Sequence, residues 1–527
     1  MIASHNRKGK AVKAAMEEEI RSLVGMGTWE LFKRSPGVNI MKNRWLLTTK
    51  YHIDDTVERE KARLVVKGFT QVYGANYDET YAPVSSYFTL KIFLSIVTIL
   101  YLNLMQLDMK NAFLQSKLDR VLYMYQPDYF NDGTSRVCKL LKSLYGLKQS
   151  LLLWYRALVG VLLGAGWKKS QVDTALYFKV GDNKVTCWVL VYFDDLLAAS
   201  SSATMLKELK ELLEAAYELR EISTVQKYRG LEIVRDRSVR KLWLHQQGYA
   251  VKLRRRFLDE GQNGRTPKTP IFVVAYATLT FDDEEAQVLQ EEEYWQKVSS
   301  LQFAATTTRP DIAFACSKLG SGLTVRSDQH WREVNRCLAY LANTRDTALE
   351  FGGGAESLKL VGYVDANDTG DKQNRTSTSG YVFVFGGAAV SWSSQRIKCT
   401  MLSSTESEYV AAIEAGKEGR RLRYLLAEFR QLDAGTPTVL QVDNQLAITV
   451  AEGMGLIGNL KHMERRQAWL QHMVKHGKFS LKYIPTVEQP ADFLTKALHY
   501  PAFNWCSVAI GQVRQVDVGD GNNNVQQ

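Results

Sequence analysis

Residues 189–199 constrain the fold of this chain more than any other stretch. They read VLVYFDDLLAA, in which two adjacent carboxylates, Asp194 and Asp195, separate two apolar runs. This pattern predicts two strands joined by a turn that carries the acids. Adjacent carboxylates in an apolar setting repel each other and resist the loss of water unless a cation neutralises them. The stretch therefore indicates a divalent metal and phosphoryl or nucleotidyl transfer, and the alternative is a surface turn in which Asp is favoured for local reasons.

Two upstream segments favour the catalytic interpretation. The first, LDMKNAFL at 107–114, places Asp108 after an apolar run and Phe113 five residues later. The second, SLYGLKQ at 143–149, lies between that segment and the Asp194–Asp195 pair. Together the three segments resemble the palm of a reverse transcriptase, and in detail the Pol polyprotein of copia-type LTR retrotransposons.

This resemblance implies a set of roles in the polymerase site. Asp108 and Asp194 would ligate two Mg²⁺ ions, with Mn²⁺ as an alternative, and Asp195 would be the supporting carboxylate. Phe113 would be the aromatic gate against a ribose 2′ hydroxyl. Gly146 would let the backbone approach the nucleotide, and Lys148 would belong to the same nucleotide site.

A basic hairpin is predicted near the N-terminus. Apolar segments at 44–51 and 62–69 flank the turn signal Asp54-Asp55. Alternation places Lys61, Arg63 and Lys67 near one face, where cations could meet a triphosphate. A solvated basic face is the alternative, but the string KARLVVKGFTQ at 61–71 resembles the fingers of the same family.

A second constellation of acids lies in the C-terminal half of the chain. Four carboxylates stand at predicted strand ends and helix starts, an arrangement that suits a two-metal hydrolase. Each one alone is better explained as a helix cap or a surface residue than as a metal ligand. In order they resemble the D-E-D-D set of RNase H downstream of copia-type reverse transcriptases, which implies that they are its metal ligands: Asp365, Glu408, Asp443 and Asp492.

Length and composition set the frame for these sites. A chain of 527 residues with 45% hydrophobic residues can bury several cores, and its formal charge of +11 favours a polyanionic partner. Six cysteines without a C-x-x-C pair argue against zinc ribbons and disulfide frameworks. The most apolar stretch, 92–102, is shorter than the roughly 20 residues that span a bilayer, and it is better interpreted as a core helix. We expect an intracellular protein, cytoplasmic in a virus-like particle or nuclear, that is neither secreted nor membrane-bound.

The expected architecture is a multidomain α+β and α/β chain. The resemblance implies a right-hand-like reverse transcriptase with fingers, palm and thumb over 1–255, and a thumb end and helical connection over 256–355. An RNase H-like α/β domain would follow at 356–500, and a disordered tail at 501–527.

The implied function is an RNA-directed DNA polymerase with RNase H activity. Its partners would be an RNA template, a DNA primer and product, an RNA/DNA hybrid and dNTPs. The alternative is a decayed, inactive element fragment that at most binds nucleic acid, because Ser150-Leu151-Leu152 replaces the family's Ala-Pro-Arg and the chain starts at the polymerase. A DNA-dependent repair polymerase is a third hypothesis.

Overall fold

The computed structural model describes residues 2–51, 57–258, 266–273, 291–321, 328–367, 377–397, 401, 403–432, 435–454 and 461–514. The chain divides into two compact units, and each unit is built from two separate segments. The first unit is Met1–Ser85 with Met105–Thr224, and the second unit is Ser86–Leu104 with Val225–Gln527.

The α-helices of the described residues are numbered in chain order. They are α1 (Ile2–Gly25), α2 (Tyr87–Ile99), α3 (Ser150–Gly164), α4 (Ala203–Glu214), α5 (Gln247–Phe257), α6 (Glu291–Thr307), α7 (Ala313–Ser321), α8 (Asp328–Asn343), α9 (Ser404–Glu428), α10 (Gln445–Ala451), α11 (Lys461–Lys475) and α12 (Tyr500–Ala509).

The β-strands are numbered in the same way. They are β1 (Trp29–Phe32), β2 (Ile40–Met41), β3 (Asn43–Tyr51), β4 (Val57–Val66), β5 (Asn103–Met109), β6 (Lys117–Met124), β7 (Val137–Lys142), β8 (Lys168–Lys169), β9 (Leu176–Val180), β10 (Thr186–Tyr192), β11 (Asp195–Ser200), β12 (Leu219–Ile222), β13 (Lys227–Tyr228), β14 (Leu231–Asp236), β15 (Lys241–His245), β16 (Ala348–Gly352), β17 (Val361–Asn367), β18 (Thr378–Phe385), β19 (Ala388–Arg396), β20 (Thr438–Val442), β21 (Phe479–Tyr483) and β22 (Gln512–Val513).

A six-stranded sheet in the order β12-β5-β11-β10-β9-β8 carries the central hairpin of the first unit. The predicted hairpin is confirmed, because β10 and β11 pair antiparallel with Tyr192 opposite Asp195. Apolar side chains of β5, β10 and β11 share a buried core with α3 and α4, including Leu107, Leu158 and Leu209. Because this core is closely packed, it fixes the positions of β10 and β11 and therefore of the acid-bearing turn between them.

The predicted basic hairpin also forms in the first unit. Strands β3 and β4 pair antiparallel, and the turn signal between them lies outside the described residues. Strand β4 ends at Val66 instead of reaching residue 69, because Gly68–Thr70 forms a 3-10 turn.

Helix α2 belongs to the second unit although its neighbours in sequence belong to the first. The apolar run predicted a core helix over 92–102, and the helix instead begins at Tyr87. The reason is a cap, since the Ser86 hydroxyl accepts a hydrogen bond from the Thr89 N–H. Nearly every residue of the helix is buried, so the prediction of a core helix is confirmed.

The second unit contains two five-stranded sheets. One has the order β19-β18-β17-β20-β21, in which the first three strands are antiparallel and the last three parallel. Helix α9 packs on it. The sequence offers Ser403 or Ser404 as the cap of this helix, and the structure has Ser403, which accepts from the Glu406 N–H. The other sheet has the order β13-β14-β15-β16-β22.

The C-terminal segment differs from its prediction. Helix α12 and strand β22 occupy residues predicted to be a disordered tail, and Phe503 and Cys506 are buried. Composition near the end of the chain is Gly- and Asn-rich, but the apolar face of α12 is enough to fix residues up to 514; residues 515–527 lie outside the described residues.

The observed fold class is the expected one. A mixed α+β unit carries the central hairpin, and the second unit contains an α/β sheet of antiparallel and parallel strands covered by α9. Within the described residues, no helix combines the length and the apolar content needed to cross a bilayer. The three predicted domains over 1–255, 256–355 and 356–500 stay predictions.

Candidate active sites

The first acid site consists of Asp108, Asp194 and Asp195. Strands β5 and β11 are neighbours in the six-stranded sheet, and the Met109 N–H donates a 2.9 Å hydrogen bond to the Asp194 carbonyl. Asp108 precedes Met109 directly, and Asp195 is the first residue of β11. The structure therefore brings Asp108 next to the Asp194–Asp195 pair, which lies far from it in sequence.

The electrostatics of the first acid site reflect this proximity. Burial raises the pKa of Asp194, and Asp108 adds to the shift. Burial, Asp194 and Asp108 together raise the pKa of Asp195 to about 6. The Gln106 amide offsets part of that shift by donating a 3.5 Å hydrogen bond to Asp195 Oδ1. The site thus carries more negative charge than its protein surroundings neutralise.

Trp154 fixes the turn that carries the acids. Its indole N–H donates a 2.7 Å hydrogen bond to the Phe193 carbonyl, and Phe193 has a φ of 54°. A positive φ is costly for an aromatic residue, so an external donor on its carbonyl helps to hold the turn. The sequence does not predict this contact, because a tryptophan in an apolar helix gives no sign of its partner.

Two of the three predicted cations lie on the same face of the hairpin. Lys61 and Arg63 alternate with the buried residues Ala62 and Leu64 along β4. Both cations act on Asp194, lowering its pKa against the effect of burial. Lys67 follows the strand, where its backbone N–H donates to the Lys42 carbonyl at 2.7 Å.

The aromatic and glycine positions pack against each other near these cations. Phe113 meets the Tyr145 ring edge-on, with 5.0 Å between ring centroids, and the Arg63 guanidinium lies 4.7 Å from the same ring. Gly146 has a φ of 89°, and a Cβ there would lie 2.1 Å from the Val66 carbonyl oxygen. The close approach that Gly146 allows in the structure is therefore to the chain's own β4.

Lys148 points to a different neighbour. Its ammonium donates a 2.8 Å hydrogen bond to the Tyr77 hydroxyl, and its backbone N–H donates to Gln71 Oε1 at 2.7 Å. Gln71 in turn donates to Gln149 Oε1 at 2.9 Å, and both amides are buried. These bonds tie the segment at 143–149 to the residues that follow β4.

The replaced residues after Gln149 keep the helix start intact. Ser150 begins α3, and its hydroxyl donates a 2.6 Å hydrogen bond to the Leu144 carbonyl. The Ser143 hydroxyl donates to Ser150 Oγ at 2.6 Å. A serine thereby closes the loop by hydrogen bonds where the family pattern has an alanine followed by proline.

The second acid site consists of Asp365, Glu408, Asp443 and Asp492. One ligand atom each from Asp365, Glu408 and Asp443 lies within 4.8 Å of the others. Asp365 stands in β17, Glu408 in α9 and Asp443 just after β20, so that one helix and two neighbouring parallel strands converge here. Asp365, Glu408 and Asp443 are thus spaced closely enough to share one cation. Among the described residues, the carboxylates of the first acid site do not form such a group.

Backbone and hydroxyl donors orient these carboxylates. The Ala366 N–H donates to Glu408 Oε1 at 3.1 Å, and the Thr486 hydroxyl donates to Asp443 Oδ2 at 2.9 Å. The Thr495 hydroxyl bonds to Asp365 Oδ2. By contrast, Glu408 Oε2 is buried and has no hydrogen-bond partner among the described residues.

Asp492 is held by a lysine. It lies in a short 3-10 helix, Pro490–Leu494, where the sequence predicted the start of a longer helix. Its Oδ1 lies 2.9 Å from the Lys496 ammonium, which is four residues further along. Lys496 was not predicted, because the i,i+4 spacing of an acid and a lysine is common on protein surfaces.

Burial strongly perturbs the second acid site. It raises the pKa of Glu408 to about 9, and Asp365 and Asp443 add to the shift. Burial likewise raises the pKa of Asp365 to about 7, with Lys496 acting against it and Asp492 and Asp443 adding to it. Buried carboxylates that raise each other's pKa are typical of functional sites.

Comparisons with known proteins identify the family of the chain. Residues 26–271 match the family model described as reverse transcriptase (RNA-dependent DNA polymerase). The chain is 35% identical over 515 residues to the retrovirus-related Pol polyprotein of transposon TNT 1-94 from Nicotiana tabacum. That match covers 97% of this chain and 38% of the tobacco protein, so the chain spans well under half of that relative.

A shorter relative is covered completely. The transposon Ty5-1 protein of Saccharomyces cerevisiae is 31% identical over 316 residues, which are 59% of this chain and 100% of the yeast protein. Among solved structures, a foamy viral protease-reverse transcriptase in complex with RNA/DNA hybrid matches with a TM-score of 0.43 and 14% identity. That match covers 92% of this chain and 55% of the viral chain.

Proposed function

This chain belongs to the copia-type Pol proteins of retrotransposons, and we propose that it is an RNA-directed DNA polymerase whose second unit cleaves the RNA strand of RNA/DNA hybrids. Its partners are an RNA template, a DNA primer and product, and dNTPs. We place its work inside the cell, in a cytoplasmic particle or the nucleus. The observation that carries the polymerase proposal is the hydrogen bond from Met109 to Asp194, which joins the two acid-bearing segments.

The polymerase reaction is assigned to the first acid site. Asp108 and Asp194 would hold divalent cations, and Asp195 would support them from the next position. Lys61, Arg63 and Lys67 meet the triphosphate, since cations of this type bind phosphate oxygens strongly. Phe113 excludes a ribose 2′ hydroxyl, and Gly146 and Lys148 complete the nucleotide site.

The Arg63 guanidinium lies beside both Tyr145 and the acid turn. It is therefore well placed to move between the negative charge of the carboxylates and that of an incoming triphosphate. The Phe113–Tyr145 contact holds the proposed gate against a second aromatic ring. A gate must be rigid to exclude one hydroxyl group, and the edge-on packing supplies that rigidity.

The residues of the second acid site fit a divalent cation. The buried, unpartnered Glu408 Oε2 and the raised pKa values of Glu408 and Asp365 show negative charge that lacks compensation. All four side chains offer oxygen atoms, which Mg²⁺ and Mn²⁺ prefer. Such ions supply activation of a water nucleophile and stabilisation of the leaving oxygen.

The chain itself orients the hydrolytic site. The Thr495 hydroxyl donates to Asp365 Oδ2, and its oxygen lies 3.0 Å from the Asp492 carbonyl oxygen, so that one side chain contacts both acid-bearing segments. The Ala366 N–H leaves only one oxygen of Glu408 free to face a cation. The RNA strand would be recognised through the shape and the 2′ hydroxyls of the hybrid.

Primer extension and hybrid cleavage by the full chain test the two reactions separately. The polymerase assay uses poly(rA) primed with oligo(dT) and Mg²⁺, and the cleavage assay uses a labelled RNA strand paired to DNA. We expect Asp194→Asn to lose extension and keep cleavage, and Glu408→Gln to do the reverse. Asp182→Asn, on an exposed turn of the same sheet, and Glu414→Gln, on the same helix as Glu408, are the matched controls.

Two results would contradict the proposal. An unsubstituted chain that neither extends nor cleaves would be the inactive fragment that the change at Ser150–Leu152 suggested. Extension on DNA templates alone, with no cleavage of the RNA strand, would indicate a DNA-dependent repair polymerase.

A further inference from the structure

The second acid site has an uneven distribution of charge. Three carboxylates, Asp365, Glu408 and Asp443, share one small volume, whereas Asp492 carries an ion pair with Lys496 at 2.9 Å. The Asp492 carboxylate is 14% exposed and the Lys496 side chain 32% exposed, so water screens this pair only partly. Lys496 also acts on Asp365 and Asp443, so its charge is felt across the site.

The same short segment delivers both members of the pair. The Lys496 N–H donates a 3.1 Å hydrogen bond to the Asp492 carbonyl, which folds the lysine back over the acid. Gly380 of β18 makes room for that fold, because a Cβ there would lie 2.7 Å from Thr495 Cγ2 and 2.9 Å from Leu494 Cβ. The position of Lys496 is therefore built into the packing of the segment on the sheet and is not that of a free surface side chain.

We propose that Lys496 is a resident cation on Asp492: the first divalent ion binds Asp365, Glu408 and Asp443, and a second ion gains Asp492 only by displacing the Lys496 ammonium. This inference rests on the proposed hydrolytic function of the second unit. Lys496 is a positioning residue here, since it sets which carboxylates are open to cations. Because the Lys496 ammonium competes with the second ion for Asp492, the binding of that ion would depend on the concentration of the divalent cation.

The physical argument is one of charge. A positive ammonium within a few Å of a half-buried carboxylate neutralises it in the resting site, which lowers the cost of holding four acids together. The same ammonium repels a second cation from that carboxylate. Removing the ammonium must therefore strengthen the second binding event, while the loss of a merely structural contact would not.

Titration with Mn²⁺ tests the inference without any reading of activity. The full chain is used with Asp108→Asn and Asp194→Asn, so that the first acid site contributes little binding, and free Mn²⁺ is measured by its electron paramagnetic resonance signal. We expect the parent to bind one ion tightly and a second weakly. Lys496→Met should strengthen the second event by at least about tenfold, because it removes a nearby like charge.

Three further variants sharpen the result. Lys496→Arg keeps the charge and should leave both events close to those of the parent, and Lys478→Met, on an exposed lysine of the same unit, should do the same. Lys496→Gln replaces Lys496→Met if the latter lowers the melting temperature. An unchanged or weaker second event in the Met and Gln variants overturns the inference. If the parent binds no Mn²⁺, or if Asp443→Asn leaves its binding unchanged, the proposed hydrolytic site itself fails.

Discussion

The carbonyl oxygen of Val66 occupies the space next to Gly146, 2.1 Å from where a Cβ on that glycine would lie. The Val66 N–H also donates a 2.8 Å hydrogen bond to the Tyr145 carbonyl. The end of the basic hairpin and the turn at 143–149 are therefore in backbone contact. A side chain at residue 146 would push the end of β4 away from this turn. The predicted triphosphate cations on β4 would then move away from the Phe113–Tyr145 pair.

Gly146→Ala is expected to abolish primer extension, because the methyl group clashes with β4 and the backbone keeps a φ of 89° that alanine disfavours. Hybrid cleavage by the second unit should remain. Gly166→Ala is the control, since Gly166 has a φ of 82° but nothing within 4 Å of its Cβ position. Gly166→Ala should lower the free energy of unfolding by about 1 kcal/mol through backbone strain, but its methyl group meets no neighbouring atom. Equal loss of extension in both variants would show that strain and not the contact matters.

Trp154→Phe should weaken the acid turn while keeping most of the apolar packing of α3. The variant loses the hydrogen bond to the Phe193 carbonyl, which contributes about 1 kcal/mol. We expect several-fold slower primer extension and a small drop in the melting temperature of the first unit. Tyr155→Phe is the matched variant, because its hydroxyl bonds to the Thr174 carbonyl at 3.1 Å and not to the turn. Extension by Trp154→Phe at the rate of Tyr155→Phe would remove Trp154 from the list of positioning residues.

Without divalent cations, the second unit should lose stability as the pH rises. The pKa of Asp365 is raised to about 7 and that of Glu408 to about 9, so the folded state binds protons that the unfolded state has released. Stability is therefore highest near the unfolded values, about pH 4, and falls through the folded values. In EDTA at pH 8, Glu408→Gln should raise the free energy of unfolding by about 2 kcal/mol, and the melting temperature should therefore rise by several degrees.

Mg²⁺ should reverse the difference in melting temperature between Glu408→Gln and the parent. It should raise the melting temperature of the unsubstituted chain at pH 8 and have a smaller effect on Glu408→Gln. A variant that is less stable than the parent in EDTA would contradict the expected cost of burying the Glu408 carboxylate.

Lys91 provides the opposite pH dependence within the same unit. Burial lowers its pKa well below the usual range, with Glu418 acting against burial, and its ammonium lies 3.5 Å from the Trp392 ring centroid. Because the unfolded chain holds this proton more tightly, Lys91 costs stability below its unfolded pKa, and the cost disappears as the pH rises towards about 10. Lys91→Met should raise the melting temperature at pH 7 by roughly 2 °C, the equivalent of about 1 kcal/mol.

The measurement is thermal unfolding at several pH values, with Lys475→Met on an exposed position as the control. The gain of Lys91→Met should shrink at alkaline pH. A loss of stability at pH 7 would show that the hydrogen bond to the Thr307 carbonyl and the contact with the indole outweigh the cost of burial.

Local patterns predicted the parts of the sites that depend on neighbouring residues. The hairpin at 189–199 follows from two apolar runs around two acids, and the Ser403 cap follows from a serine three residues before a glutamate. The convergence of Asp108 with Asp194 and of Asp365 with Glu408 was expected only from the resemblance to a family. Apolar patterns alone do not say which strand ends meet.

The parts that were missed depend on long-range partners. The bond from Trp154 to Phe193, the contact of Gly146 with Val66 and the pairing of Lys148 with Tyr77 join residues that only the tertiary fold brings together. The tail was predicted to start too early, because composition does not reveal that Gln512 would donate a 3.0 Å hydrogen bond to the buried Asp311.

Helix α2 is synthesised long before the surfaces that cover it. The Phe93 ring lies 6.4 Å from that of Phe429, and the Arg421 guanidinium lies 4.1 Å from the Phe88 ring. On the ribosome, Phe88 and Phe93 stay without these two partners until more than three hundred further residues have been made, and the apolar surface of α2 is exposed there meanwhile. Expression of the chain as two fragments, 1–224 and 225–527, would separate α2 from the rest of its unit permanently. The first fragment would expose the apolar surface of α2, and the second would expose the surface that α2 covers.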